Sequence, residues 1–362
     1  MKVDSLAQLG WSDDWARAFE PVAGPSVVPG RVVLEHNHVY RVLTADGERL
    51  AETSGRLKHH AASRRELPVV GDWVSVGQDD SGARIQIRAV LPRRTSFSRK
   101  AAGRETEEQV VAANIDVVFI VFGLDGPVKP KSIDRYLVVA RASGATPVVV
   151  LNKADLCGSL AAELDVAVTA AGRVPVLAVS TMAPPGVLPL ETHLGFGRTA
   201  ALIGPSGAGK SSVINALLGH ELLATGAVRD WDARGRHTSV HRQLVVRPSG
   251  GVFIDTPGMR ELALWDTDAV TDTFEDLQAL ATGCRFRDCR HEREPGCAVK
   301  AAVEAGHVDA SRVESYSKLR VEQDLVERKR AERALIDAKR QQGRAGAKTM
   351  REFHRDRDRR DS

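Results

Sequence analysis

The chain has 362 residues, 43% of them hydrophobic and 27% charged, which is the balance of a globular protein of two or three domains. No apolar run approaches the roughly 18 residues of a membrane helix, and four cysteines are too few for a secreted disulfide framework. The formal net charge of +4 sits in the C-terminal stretch: residues 318–362 carry 15 Lys/Arg against 9 Asp/Glu, which suits either a polyanionic partner such as RNA or a solvated charged helix. Met1 to Leu9 contain no apolar signal core, so a cytoplasmic location is expected, and separately a monomer without membrane contact.

Residues 5–20 suit a short helix. From Gly30 the pattern turns to β, with Arg31–Leu34, Val39–Leu43, Asp72–Val76 and Arg84–Ile87 alternating or β-branched and bounded by turn residues. Four or five short strands in so little chain predict a small barrel. An oligonucleotide-binding (OB) barrel is preferred, although strand spacing does not separate it from an SH3-like one. Basic residues at Lys58, His59, His60, Arg64, Arg65, Arg93, Arg94, Arg99 and Lys100 could follow a phosphate backbone. Trp73 could stack on a base, but the alternation of its strand favours a place in the core.

From Asn114 the apolar segments become continuous, as in parallel strands buried on both faces: Val117–Val121, Pro147–Leu151 and Val174–Val179. Ile133, Leu137 and Ala140 fall between them at helical spacing. The second of these strands delivers Asn152-Lys153-Ala154-Asp155 to its carboxyl end, and the third delivers Ser180-Thr181. A doubly wound α/β sheet binds its ligands there. Asp155 can accept hydrogen bonds from guanine N1–H and its 2-amino group, neither of which adenine offers. Lys153 would lie along the base, and Asn152 would tie its loop to the phosphate loop.

That phosphate loop follows later. Thr199–Ile203 reads as a strand, then come Gly204, Pro205, Ser206, Gly207, Ala208, Gly209, Lys210, Ser211 and Ser212, and the helix runs on to Leu218. The glycines let backbone N–H groups turn toward phosphate oxygens, Lys210 reaches the β- and γ-phosphates, and Ser211 ligates Mg²⁺. In an ordinary GTPase the phosphate loop precedes the base motif. The reversed order here implies a circularly permuted domain, which is feasible because the termini of a domain often lie close together.

Gly251–Ile254 leads into Asp255-Thr256-Pro257-Gly258, where Asp255 would hold a Mg²⁺ water and the Gly258 N–H would sense the γ-phosphate. Arg229 to His241 suits a switch segment, with Thr238 or Ser239 as a Mg²⁺ ligand. Met259 stands where many GTPases carry a water-orienting glutamine, and a thioether cannot orient water. His237 is the nearest substitute. A scaffold with little intrinsic hydrolysis is the alternative.

Cys284, Cys289, His291 and Cys297 offer three thiolates and an imidazole within fourteen residues, the ligand set of a closed structural Zn²⁺ site, one ion per chain. Cys157 is read as a small buried residue.

The permuted order, Gly235-Arg236-His237-Thr238 with Asp255-Thr256-Pro257-Gly258, the Cys/His cluster and the preceding barrel together resemble the RsgA family, also called YjeQ or YloQ. The resemblance covers nearly the whole chain. It implies an α/β P-loop GTPase, circularly permuted and doubly wound, with an N-terminal OB-fold barrel and a C-terminal helical zinc-binding domain. It also implies GTP hydrolysis in late 30S maturation, contacts with 16S rRNA, and stimulation by the subunit. Expected limits are 1–100 for the barrel unit, 101–270 for the GTPase, 271–340 for the zinc domain and 341–362 for a basic tail. Ser239 and Ser180-Thr181 depart from the family's usual Thr and Ser-Ala.

Overall fold

The first strand, β1 (Val27–His36), is long enough to pair along both of its edges, and its register shifts between Val32 and Leu34, where it bends. The computed structural model describes residues 5–36, 38–61, 63–79, 82, 84–101, 104–184, 186–219, 243–247, 250–255, 268–329, 331–332 and 335. Strand β1 lies antiparallel to β2 (Val39–Thr44) and to β4 (Trp73–Gln78). Strand β3 (Gly47–Thr53) pairs with β2, and β5 (Ile85–Val90) lies antiparallel to β4 and parallel to β3. The circuit β1-β2-β3-β5-β4-β1, with helix α2 (Gly55–His60) between β3 and β4, is an OB-like barrel, so pairing decides what strand spacing left open. Val32, Tyr40, Val42, Val74, Val76 and Ile87 fill it. Trp73 is buried on the opposite side of its strand, edge-on to Trp11 at 4.8 Å beside helix α1 (Asp13–Phe19).

A hairpin of β6 (Ser96–Ala101) and β7 (Arg104–Ala113) leads out of the barrel, so residue 100 lies inside a strand. The second layer is a parallel sheet of β8 (Val117–Gly123), β9 (Thr146–Asn152), β10 (Val176–Ala178), β11 (Thr199–Ile203) and β13 (Val252–Asp255), with β12 (Gln243–Val246) antiparallel to β13. Alternate side chains of these strands face two cores. Val118, Ile120, Val149 and Leu151 pack with α3 (Pro130–Ala142) and α4 (Leu160–Ala171). Phe119, Val121, Val148 and Val150 pack with α5 (Lys210–Leu218). Burial on both faces explains the unbroken apolar runs of the sequence. In the order β10-β9-β8-β11-β13-β12, the strands that follow β8 run to one side and those that follow β11 to the other. The switch point therefore lies between β8 and β11, where such sheets open a ligand crevice.

The sheet does not stop at β12. Leu34 of β1 pairs with Gln243, joining the barrel and the nucleotide-binding sheet into eleven continuous strands.

Helices α6 (Asp268–Thr273), α7 (Glu275–Ala281), α8 (Ala298–Glu304) and α9, over residues 310–329, pack at the other flank. Helix α9 lies on α3 and is held by Lys131–Glu314 at 2.6 Å, Arg135–Glu322 at 3.1 Å and Arg312–Asp134 at 2.8 Å. It thus packs against the nucleotide-binding layer rather than the barrel. Arg312 also grips Asp276 twice at 2.8 Å, donates to the Thr273 carbonyl and lies over the Phe274 ring. Burial pushes the Asp134 carboxyl up to about 6 from 3.8 despite Arg312. The folded chain thus keeps this proton at a pH where the unfolded chain has released it. Stability from this group falls as the pH rises between those values. Arg312→Ala leaves Asp134 buried and unpaired and should destabilise the protein by on the order of 3 kcal/mol, less at pH 5.5 than at 7.5. Denaturant titration at both pH values checks this, and an equal loss at both would contradict the burial argument.

Candidate nucleotide site and metal centre

The base loop and the phosphate loop meet at the switch point although 56 residues separate Asn152 from Ala208. Asn152 Nδ2 donates to the Ala208 carbonyl at 3.0 Å. Close approach requires glycine here: a Cβ on Gly209, whose φ is +88°, would stand 2.3 Å from that Nδ2, and one on Gly204 would meet the Val121 carbonyl at 2.1 Å. Asn152 also keeps its Oδ1 buried and unpartnered among the described residues, which suits a site completed by a ligand.

Lys153 has φ +63°, in the left-handed region that few side chains occupy, and its ammonium pairs with Asp125 at 2.6 Å. The Lys153 hydrogen bond holds the Asp125 carboxyl below its usual range. Asp125 follows directly from β8 and is a positioning residue that sequence reasoning missed. The signal available was Gly123-Leu124-Asp125-Gly126 at the end of a buried strand.

Asp155 stands opposite Ser180, whose buried hydroxyl donates to its Oδ1. Ser180 Oγ in turn accepts from the Met182 and Ala183 backbone N–H groups, each at 3.0 Å. Three bonds to one hydroxyl hold the carboxylate in place, so Ser180 orients Asp155 and does not need to touch a base itself. Ser180→Ala should weaken guanine-nucleotide binding roughly fivefold without changing turnover of the bound nucleotide. Titration with a fluorescent GDP checks this, and unchanged affinity would contradict it.

The phosphate loop, Gly204 to Gly209, opens into the N-terminus of α5, where orphan N–H groups and the helix dipole favour an anion. Gly204, Gly207 and Gly209 all have positive φ, which turns the backbone of Pro205, Ser206 and Ala208 around the loop. Lys210 Nζ donates to the Gly204 and Pro205 carbonyls at 3.0 and 2.7 Å, folded over the place a phosphate would take. Ser211 and Ser212 are half-buried in the first turn of α5, and Asp255 ends β13, the strand next to β11 in the sheet. His237, Thr238, Ser239, Gly258 and Met259 lie outside the described residues.

The four metal-site candidates come together. Their ligand atoms all lie within 4.8 Å of one another: Cys284 Sγ is 3.9 Å from Cys297 Sγ and 3.7 Å from His291 Nδ1, which is 3.4 Å from Cys297 Sγ. A tetrahedral ion with sulfur at about 2.3 Å and nitrogen at about 2.0 Å spaces its ligands by roughly 3.5–3.8 Å, so the residues fit a metal. Cys297 caps α8 and accepts the Lys300 N–H at 3.4 Å. Burial pushes the Cys289 thiol up to about 11 and lowers the His291 imidazole, so a cation held there would favour the ionised Cys289 thiol and the neutral ring. His291 has φ +63°, in a loop wound around the Glu294 carboxylate, which accepts the N–H groups of Arg290, Glu292 and Arg293 at 3.0 Å each. Cys157 is half-buried and packs against the core away from this cluster.

Of the basic residues read around the barrel, Lys58, His59, His60, Arg64 and Arg65 are exposed, whereas Arg93 forms a two-pronged pair with buried Asp72 at 2.7 Å. Arg93 therefore belongs to the framework and not to a nucleic-acid face. Arg94 lies over the Trp15 ring at 4.4 Å.

A family model described as RsgA GTPase matches residues 90–265. The chain is 48% identical to a small ribosomal subunit biogenesis GTPase RsgA of Opitutus terrae, over 90% of this chain and 91% of that one. It is 44% identical to RsgA 2 of Lactiplantibacillus plantarum, over 81% and 82%. The crystal structure of YjeQ from Thermotoga maritima superposes with a TM-score of 0.62 at 27% identity, covering 82% of this chain and 98% of that one. The structure of YloQ, titled a circularly permuted GTPase, matches the fold with a TM-score of 0.57 at 22% identity, over 82% and 95%. With barrel, permuted nucleotide sheet and Cys/His cluster in one chain, and a relative 48% identical over nine-tenths of both chains, the protein belongs to the RsgA family of GTPases.

Proposed function

We propose that this GTPase acts in maturation of the small ribosomal subunit, the task for which its relatives are named, and that its nucleotide state controls its hold on the subunit and its rRNA. The observation that carries this reading is the Leu34–Gln243 pairing, which ties the barrel to the strand that follows the expected switch segment, Arg229 to His241. A displacement at that segment pulls on β12 and, through it, on β1. The C-terminal helices are tied to the same layer through α3 and Asp134. The nucleotide would sit between two modules, one joined to the β12 edge of its sheet and the other packed on α3 over the sheet's face.

In this reading Asn152, Lys153 and Asp155 select guanine, Lys210 moves from the loop carbonyls to the β- and γ-phosphates, and Ser211 with Thr238 would hold Mg²⁺ while Asp255 would hold one of its waters. That ion would neutralise charge on the phosphate oxygens. His237 orients the attacking water in place of the missing glutamine, and Gly258 reads the γ-phosphate. The Cys/His cluster holds one structural Zn²⁺, as its closed thiolate-rich set favours. The protein works as a cytoplasmic monomer. Co-sedimentation with purified small subunits tests the control: a nonhydrolysable GTP analogue should retain the protein on the subunit and GDP should release it. Equal retention in both states would refute the nucleotide control.

A further inference from the structure

We propose that a second, smaller pocket, where the N-terminal segment, the barrel and the nucleotide sheet meet, binds one nucleotide unit, a planar base with its phosphate. The pocket has a volume of about 270 Å³ and contains no residue of the phosphate loop, the base loop, β2 or β3. It is thus distinct from the GTP crevice and from the strand 2–3 face on which OB barrels take oligonucleotides.

Its chemistry is aromatic and cationic. The rings open to a ligand are half-buried Trp11 and, at the rim, Phe196 with 65% of its surface free; Trp15 and Trp73 also line the pocket but are buried, the first under Arg94 and the second against Trp11 and Arg31. Arg31, Arg94 and Arg198 line the pocket beside a single carboxylate, Asp116, which the Thr199 backbone N–H engages at 2.7 Å, while Arg94 reaches outside the lining to pair with Asp14 at 3.0 Å. Arg31 is the unusual member. It is fully buried, its guanidinium donates to the carbonyls of Leu9, Gly71 and Asn114, and it lies 5.3 Å from the Trp73 ring centre. No carboxylate hydrogen-bonds it among the described residues. Asp116 and Asp72 offset part of its charge, but Asp72 is already paired with Arg93 and Asp14 with Arg94, so the four arginines outnumber the three carboxylates by one and the excess positive charge favours an anion. Thr199 adds a buried hydroxyl without a partner among the described residues.

Stacking surfaces and a positive field together select a nucleotide unit over a bare anion, which would gain nothing from the open rings, and over a neutral aromatic, which would gain nothing from the arginines. The unit can come from a free mononucleotide or from an unstacked residue of single-stranded RNA.

The test uses the full chain saturated with GDP, so that the main site is filled, and follows quenching of tryptophan fluorescence, since three of the five tryptophans line the pocket. AMP and an adenine hexaribonucleotide are the probes. Both should quench saturably, and the exposed rim variants Phe196→Ala and Arg198→Gln should each weaken binding about tenfold, the effect of one lost base stack, with GDP affinity unchanged. Tighter binding of the hexanucleotide assigns the site to RNA, and equal binding assigns it to a free nucleotide. If neither probe quenches saturably, or if both variants bind like the parent, the proposal is wrong.

Discussion

Asp155→Asn should lower GTP affinity about a thousandfold and allow a xanthine nucleotide to bind instead. The carboxylate of Asp155 is held by the Ser180 hydroxyl, itself anchored by two backbone N–H groups, so its position does not relax when its chemistry changes. Two hydrogen bonds from guanine to a charged acceptor contribute about 1.5–3 kcal/mol each. In the variant an amide N–H₂ faces a guanine donor, and a donor left against a donor loses more than the missing bond. Xanthine carries a carbonyl where guanine carries its amino group and restores the match. Competition against a fluorescent GDP measures both effects. A variant that still binds GTP within about tenfold of the parent would place base recognition elsewhere.

Removal of the metal should have the other large effect. Structural zinc in small domains contributes about 10–16 kcal/mol of binding free energy to folding. Here the four ligands join the turn after α7, the loop built on Glu294, and the start of α8. Beneath them Cys289, Cys297 and Val299 share a core with Phe274, Tyr316 and Leu319. Strong chelation, or Cys297→Ser, should therefore loosen residues 275–329 as a unit. Limited proteolysis would then cut between 283 and 309 while GDP binding persists, because the phosphate and base loops do not touch the cluster. An identical cleavage pattern with and without metal would show that the helices hold without it.

Both sites were legible because each is a short run whose residue types state its chemistry: Gly204 to Ser211, Asn152 to Asp155, and the Cys284 to Cys297 cluster. The parallel strands were equally plain, since burial on both faces leaves continuous apolar runs. Strand β3 was not read because its inward residues, Ala51 and Thr53, are small or polar while Leu50 points outward, which inverts the usual pattern. The Arg312–Asp134 pair spans 178 positions, and the β1–β12 joint rests on the pairing of Leu34 with Gln243. Neither is encoded in any local window. Ser180 was found as a residue near the base, but its task of orienting Asp155 emerges only when β9 and β10 lie side by side.

The account depends on nucleotide turnover being coupled to the subunit, and turnover of GTP titrated with purified small subunits tests that directly. The rate should rise saturably with subunit concentration, by about tenfold or more, and the rise should vanish in His237→Ala, as loss of one water-orienting group predicts. A rate that stays flat across the titration, with GTP bound throughout, would contradict the account.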